Sequence, residues 1–151
     1  MSKETALFRH ITPVQIRFND VDILGHVNNA IHQYYFDFAR MQYFKQVFGK
    51  DLNWKKNSLV LVSIKVDYFS PIDIDDTIEV ESRIEMLGNK SITMKQKVLS
   101  RKTGIVKSSS WSVLVAFDVE ADHSISVPEE WKNRIISYEK EIAVKYPLTT
   151  N

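Results

Sequence analysis

The chain is expected to be an α+β protein, a curved antiparallel sheet around one long central helix with a further helix at the C-terminal end. Three observations lead there. Residues 30–48 place apolar side chains at three- and four-residue spacings, the period of a helix. From about residue 60 to 118 the period becomes two, the period of strands. The joints between those later segments are short and rich in turn-forming residues, which favours antiparallel neighbours. One long apolar helix needs a sheet to cover it.

Each element has its own warrant. Residues 12–18 are expected to form a first strand and residues 19–29 a loop. Asn28 or Asn29 is placed to cap the helix that follows. In that helix Ile31, Tyr34, Tyr35, Phe38, Met41, Phe44 and Phe48 share a stripe, and Phe36, Ala39, Tyr43 and Val47 widen it, so the helix is expected to be largely buried. Gly49 is a plausible stop. Val60, Val62, Ile64, Val66 and Tyr68 then alternate with Leu61, Ser63, Lys65 and Asp67, and Pro71 ends that strand. Ile78, Val80, Ile84 and Met86 alternate with Glu79, Glu81, Arg83 and Glu85, the pattern of a strand with one wet face. Gly88 and Asn89 mark a hairpin turn. Two more strands are expected over 91–100 and 105–118. Ser126 and Glu129 match a capping box that would open a last helix running to about Lys145.

Composition excludes several function classes. The 151 residues suit a single domain, taken as 1–151, with a sizeable core. The net charge of +1 gives no support for a nucleic-acid partner. There is no cysteine, which removes disulfides, thiolate catalysis and cysteine-type zinc sites. Residues 1–10 lack the apolar run of a secretory signal, and no stretch is long and apolar enough for a membrane span. A cytoplasmic location is expected.

The chemistry concentrates between Arg17 and Asn29. Asp20, Asp22, Gly25, His26, Asn28 and Asn29 gather directly before a helix start. Such a start offers free backbone N–H groups and the positive end of a helix dipole. A nearby carboxylate or imidazole can act as base or nucleophile. Blander roles compete. Asp22 could cap the helix or hydrogen-bond its own loop. Asp20 is expected to pair with Arg17 or order the loop. His26 could be a loop histidine, and the side chains of Asn28 and Asn29 are better caps than catalysts. Asp37 and Arg40 on an apolar helix read as a structural ion pair, with a role for Asp37 near substrate as the alternative. Tyr34, Tyr35 and Phe38 read as core, with an acyl pocket beside the helix as the alternative. A calcium loop fails at Leu24 and Ile31. His26 and His32 form no zinc-protease motif, and neither a phosphate loop nor a Gly-x-Ser-x-Gly elbow occurs.

The run Asp20-x-Asp22-x-x-Gly25-His26-Val27-Asn28-Asn29, with Tyr34, Asp37, Ala39 and Arg40 after it, resembles the hot-dog-fold acyl-CoA thioesterases, above all the 4-hydroxybenzoyl-CoA thioesterase-like branch and long-chain acyl-CoA thioesterases. The likeness extends over about residues 12–118 and includes the segment Val66–Pro71. It implies a hot-dog fold and hydrolysis of an acyl-CoA to free acid and coenzyme A, with no metal and no separate cofactor. Asp22 matches the family's general base or nucleophile. Asn29 matches the position whose backbone N–H polarises the thioester carbonyl, and Gly25 the glycine that permits close approach. His26 matches a histidine that is catalytic in plant acyl-carrier-protein thioesterases. Leu24 stands where those enzymes carry a further asparagine, a departure from the plant-type mechanism. Lys90 matches a basic hairpin residue that contacts coenzyme A phosphates. The resemblance also implies a homodimer or homotetramer, and the edges of one small sheet need covering in any case. An acyl-carrier-protein thioesterase, a hydratase on the same fold and a non-catalytic acyl-binding module are the alternatives.

Overall fold

The computed structural model of the protein describes residues 7–49 and 53–145. The first six residues of the N-terminal stretch read above lie outside the described residues. The elements run β1 (His10–Val14), α1 (Asn29–Phe48), β2 (Asn57–Tyr68), β3 (Ile78–Leu87), β4 (Ser91–Ser100), β5 (Val106–Asp118), β6 (His123–Ser124), α2 (Glu129–Glu139) and β7 (Ala143–Val144). The main sheet has the order β1-β3-β4-β5-β2, all antiparallel. This is the expected arrangement, an antiparallel sheet with one long helix and a second helix near the C-terminal end.

The first strand differs from expectation. It occupies His10–Val14, not 12–18, and Phe18–Asp20 forms a 3-10 turn. The reason lies in its partner. Val14 pairs with Ile78, where β3 begins, so later residues have no ladder to join. β2 starts at Asn57, earlier than its alternation suggests, because β5 continues to Asp118 opposite it.

The C-terminal helix also needs correction. It begins at Glu129 with Pro128 as N-cap and no side-chain cap, so Ser126 forms no capping box. The N–H of Val127 instead donates to the Asn89 carbonyl at 2.8 Å, tying this segment to the β3–β4 hairpin. The helix ends at Glu139, not near Lys145. Beyond it β7 runs parallel to Met86 and Leu87 of β3, and the Lys145 N–H donates to the Leu87 carbonyl.

One face of α1 is buried, through Tyr35, Phe36, Ala39, Tyr43, Phe44, Val47 and Phe48. Toward its C-terminal end these pack with Ile84, Leu87, Met94, Trp131 and Ile135, and Phe48 stacks on Trp131 with ring centroids 4.9 Å apart. Toward its N-terminal end they pack with Ile72, Ile78, Val80 and Val98. Gln96 lies buried on β4, its amide donating to the Phe36 carbonyl and to Ser82 Oγ at 3.0 Å each. The expectation of a largely buried helix is corrected on the opposite face. Tyr34 is 67%, Phe38 49% and Met41 41% exposed. A single sheet covers one side of a helix, and the apolar residues on the other side stay uncovered in one chain.

Candidate active site

The loop before α1 is built from side chains that bond back to the chain. Asp20 Oδ2 accepts from the Arg17 N–H at 2.9 Å and from the Tyr35 hydroxyl at 2.7 Å. This fixes the 3-10 turn against α1 and gives Asp20 the ordering role expected of it. Burial, then the bond to Asp20, push the Tyr35 phenol above its ordinary range. Asp22 is exposed, and its Oδ1 accepts from the N–H groups of Leu24 at 2.9 Å and His26 at 3.3 Å. The loop-ordering role considered for Asp22 is therefore present. It engages one oxygen, and Oδ2 accepts no bond among the described residues.

Gly25 adopts a φ of +79°, a region closed to most side chains, although a Cβ there would meet no protein atom within 4 Å. Its conformation, and not crowding by this chain, calls for glycine. The following residues step into the helix. Val27 N–H donates to the Ile72 carbonyl and Asn28 N–H to the Asp20 carbonyl. Asn28 is the N-cap, its Oδ1 accepting from the Ala30 N–H at 2.9 Å. That resolves the capping choice between the two asparagines. Asn29 is the first helical residue, and its N–H has no acceptor among the described residues.

A cleft of about 520 Å³ opens at this helix start, lined by Asp22, Leu24, His26 through Asn29, His32 and Tyr68 through Pro71. The structure thus brings Asp22, His26 and Asn29 to one cleft, with Gly25 in the same loop. His26 Nε2 lies 3.5 Å from Asp73 Oδ1 at its margin. Lys90 is elsewhere. Its hairpin caps the end of the sheet where Ser91 pairs with Val115, whereas the cleft lies where Val98 pairs with Ser108. Seven residues of strand separate these pairs, roughly 23 Å at about 3.3 Å per residue.

Three further residues shape the cleft floor and escape a reading of the motif. The Tyr68 hydroxyl donates to the Asn29 carbonyl at 2.8 Å. His32 is 2% exposed, its Nδ1 lies 2.7 Å from Ser108 Oγ, and its ring meets Tyr68 edge-on at 5.0 Å. Burial lowers the His32 pKa to about 4. Its position three residues after Asn29, on the same side of the helix, was the available signal. Ser108, 76 residues away, offered none.

Asp37 and Arg40 form the expected ion pair at 2.6 Å, while Arg40 Nε and Nη2 are buried without partners among the described residues. Tyr35 is core as expected. Tyr34 and Phe38 instead line a groove of about 580 Å³ between α1 and the segment Pro13–Asp20.

This architecture is the hot-dog fold, shared at high overlap with solved thioesterases. The chain belongs to the Thioesterase-like superfamily, whose family model matches residues 16–135. Among solved structures, a thioesterase from Thermus thermophilus, crystallised with coenzyme A and Zn, is 31% identical with a TM-score of 0.74, covering 86% of this chain and 94% of that one. The PA5185 protein of Pseudomonas aeruginosa is 26% identical with a TM-score of 0.79, covering 86% and 91%. The long-chain acyl-CoA thioesterase FadM of Escherichia coli is 21% identical over 127 residues, which cover 82% of this chain and 95% of FadM. YsmA of Bacillus subtilis, an uncharacterized protein, is 28% identical over 87 residues, and the match spans 58% of its length.

Proposed function

We propose that this chain hydrolyses an acyl-CoA thioester to a free carboxylic acid and coenzyme A. One observation carries the reading. A carboxylate with an uncommitted oxygen, Asp22 Oδ2, and an uncommitted helix-start N–H, that of Asn29, line the same cleft. Their roles are complementary. The Asn29 N–H, reinforced by the helix dipole, favours the negative charge that builds on the thioester oxygen. Asp22 Oδ2 either takes a proton from attacking water or attacks the carbonyl itself. The two N–H groups on Oδ1 hold the carboxylate in one orientation, so little reorganisation precedes the step. The left-handed Gly25 turns the loop whose Asp22 lines the same cleft as Asn29. His26, held beside Asp73, is the second candidate base. The names of FadM and of the coenzyme A-bound Thermus protein support the substrate class.

Lys90 stands at the other end of the sheet from this cleft, and a second copy of the chain would bring a Lys90 hairpin to the substrate phosphates. A homo-oligomer is part of the proposal for that reason. The experiment is thiol release from a panel of aliphatic and aromatic acyl-CoAs. Turnover with at least one member is expected. Tight acyl-CoA binding without release across the panel would replace the enzyme with an acyl-binding module.

A further inference from the structure

We propose that His32 supplies a second hydrogen bond to the substrate carbonyl, donated from Nε2 beside the Asn29 N–H, with Ser108 fixing its tautomer and Tyr68 its ring. This rests on the thioesterase reading above and adds a residue that the sequence motif does not contain.

The placement follows from helix geometry. Side chains on a helix lean toward its N-terminus. His32 is therefore tilted over the turn that starts at Asn29, and it lines the cleft. The Tyr68 hydroxyl donates to the Asn29 carbonyl while its ring packs edge-on against the imidazole, so one residue of β2 holds both the helix start and the ring.

The tautomer follows from burial. Ser108 is 0% exposed, and among the described residues its hydroxyl has a single hydrogen-bond partner, His32 Nδ1, at 2.7 Å. A buried hydroxyl proton goes to the acceptor available. Nδ1 is then the acceptor and the ring proton sits on Nε2. That atom has no partner among the described residues, yet it is not among the buried polar atoms sealed without one, so it retains access to the cleft. The titratable groups around the ring are Tyr35 on the same helix, Tyr68 on β2, and Asp22 and His26 on the loop across the cleft. At neutral pH the imidazole is uncharged, since burial places its titration at about 4. A neutral imidazole polarises a carbonyl without surrendering its proton. No covalent step is added. The imidazole donates one hydrogen bond that strengthens as charge collects on oxygen and relaxes when the tetrahedral intermediate collapses.

The test uses the whole chain and an acyl-CoA that the wild type turns over. His32→Phe keeps the ring shape and removes the donor. It is expected to lower kcat by about 10²–10³ with KM within roughly threefold, the loss typical of one carbonyl-polarising donor. His32→Gln restores a neutral donor and is expected to recover at least about tenfold of that loss. Wild-type ¹⁵N-histidine spectra should show the Nε2–H tautomer at pH 7 and protonation near pH 4. An Nδ1–H tautomer, or a folded His32→Phe that keeps more than about a third of kcat, would overturn the proposal. So would a His32→Gln no faster than His32→Phe. If His32→Phe does not fold, Ser108→Ala decides. It frees the tautomer and should lower kcat by about tenfold, and unchanged kcat with a retained Nε2–H spectrum overturns the role given to Ser108. Asp22→Asn separates the two levels. Loss with Asp22→Asn alone removes only His32, loss with neither variant removes this cleft as the site of hydrolysis, and a wild type that turns over no acyl-CoA removes the thioesterase reading itself.

Discussion

The His26 backbone N–H donates to Asp22 Oδ1 while its imidazole faces Asp73, so removing either side chain has a separable outcome. Asp22→Asn keeps the size and an oxygen for the loop N–H groups while losing the base or nucleophile. It is expected to lower kcat by about 10²–10⁴, with the fold kept by circular dichroism. His26→Ala is expected to cost less, because the backbone N–H at position 26 and that of Leu24 both still hold Asp22 Oδ1 and the Asn29 N–H is untouched. If His26→Ala is the slower variant, His26 is the base and Asp22 orients it. His32 carries a second residue-scale consequence. Its pKa is near 4 in the folded chain and near 6.5 in an unfolded one, so the unfolded state takes up the proton first as pH falls. Stability from this group is complete above about pH 6.5 and declines toward pH 4, a loss on the order of 3 kcal/mol. His10, also lowered by burial, acts in the same direction. The urea midpoint should therefore fall between pH 7 and pH 4.5, and the fall should be smaller in His32→Phe. An equal fall in both would remove His32 from the acid sensitivity.

Helix α2 ends where local preference and tertiary demand disagree. Lys140 sits at φ 60°, ψ −40°, with its N–H donating to the Ile136 carbonyl, a backbone that a Cβ disfavours. The turn is needed because β7 must reach Leu87. Lys140→Gly should raise stability by about 1 kcal/mol, read as a rise in thermal midpoint of about 2–4 °C for a chain of this size. An unchanged or lowered midpoint would mean that the turn is not strained. The same element shows what was legible in the sequence. Helix α1 and the hairpin at Gly88 and Asn89 were readable because their signals are local, a spacing or a turn pair. The Asp22 loop was readable as a motif. The end of α2 was not, because it is set by pairing with β3. The end of β1 escapes the sequence for a like reason, since it is set by where β3 begins. The cleft floor was invisible beyond the motif because His32, Tyr68 and Ser108 meet only after the sheet folds over the helix.

At the scale of the molecule, three uncovered features point the same way. β2 is a twelve-residue strand at the edge of the main sheet, with Val62 58% exposed and Val60 and Leu61 also open. Natural edge strands of that length are ordinarily covered, shortened or charged. The outer face of α1 presents Tyr34, Phe38 and Met41, and Arg40 holds two buried donors without acceptors. A buried unpaired guanidinium donor is costly. A second copy laid along the β2 edge would cover the strand and the helix face. It would also make another chain's hairpin the source of Lys90. The chain is therefore expected to sediment as a dimer or tetramer at micromolar concentration. Val62→Lys places a charge on the edge without touching the cleft residues and should shift the protein toward monomer, as light scattering would show. In the assembled enzyme Lys90→Ala should raise KM for an acyl-CoA several-fold, the effect of about 1 kcal/mol from an exposed charge. It should leave an acyl-pantetheine substrate, which lacks the nucleotide phosphates, nearly unchanged. A wild-type monomer with full turnover would remove the second copy from the site, and an equal effect of Lys90→Ala on acyl-CoA and acyl-pantetheine would remove Lys90.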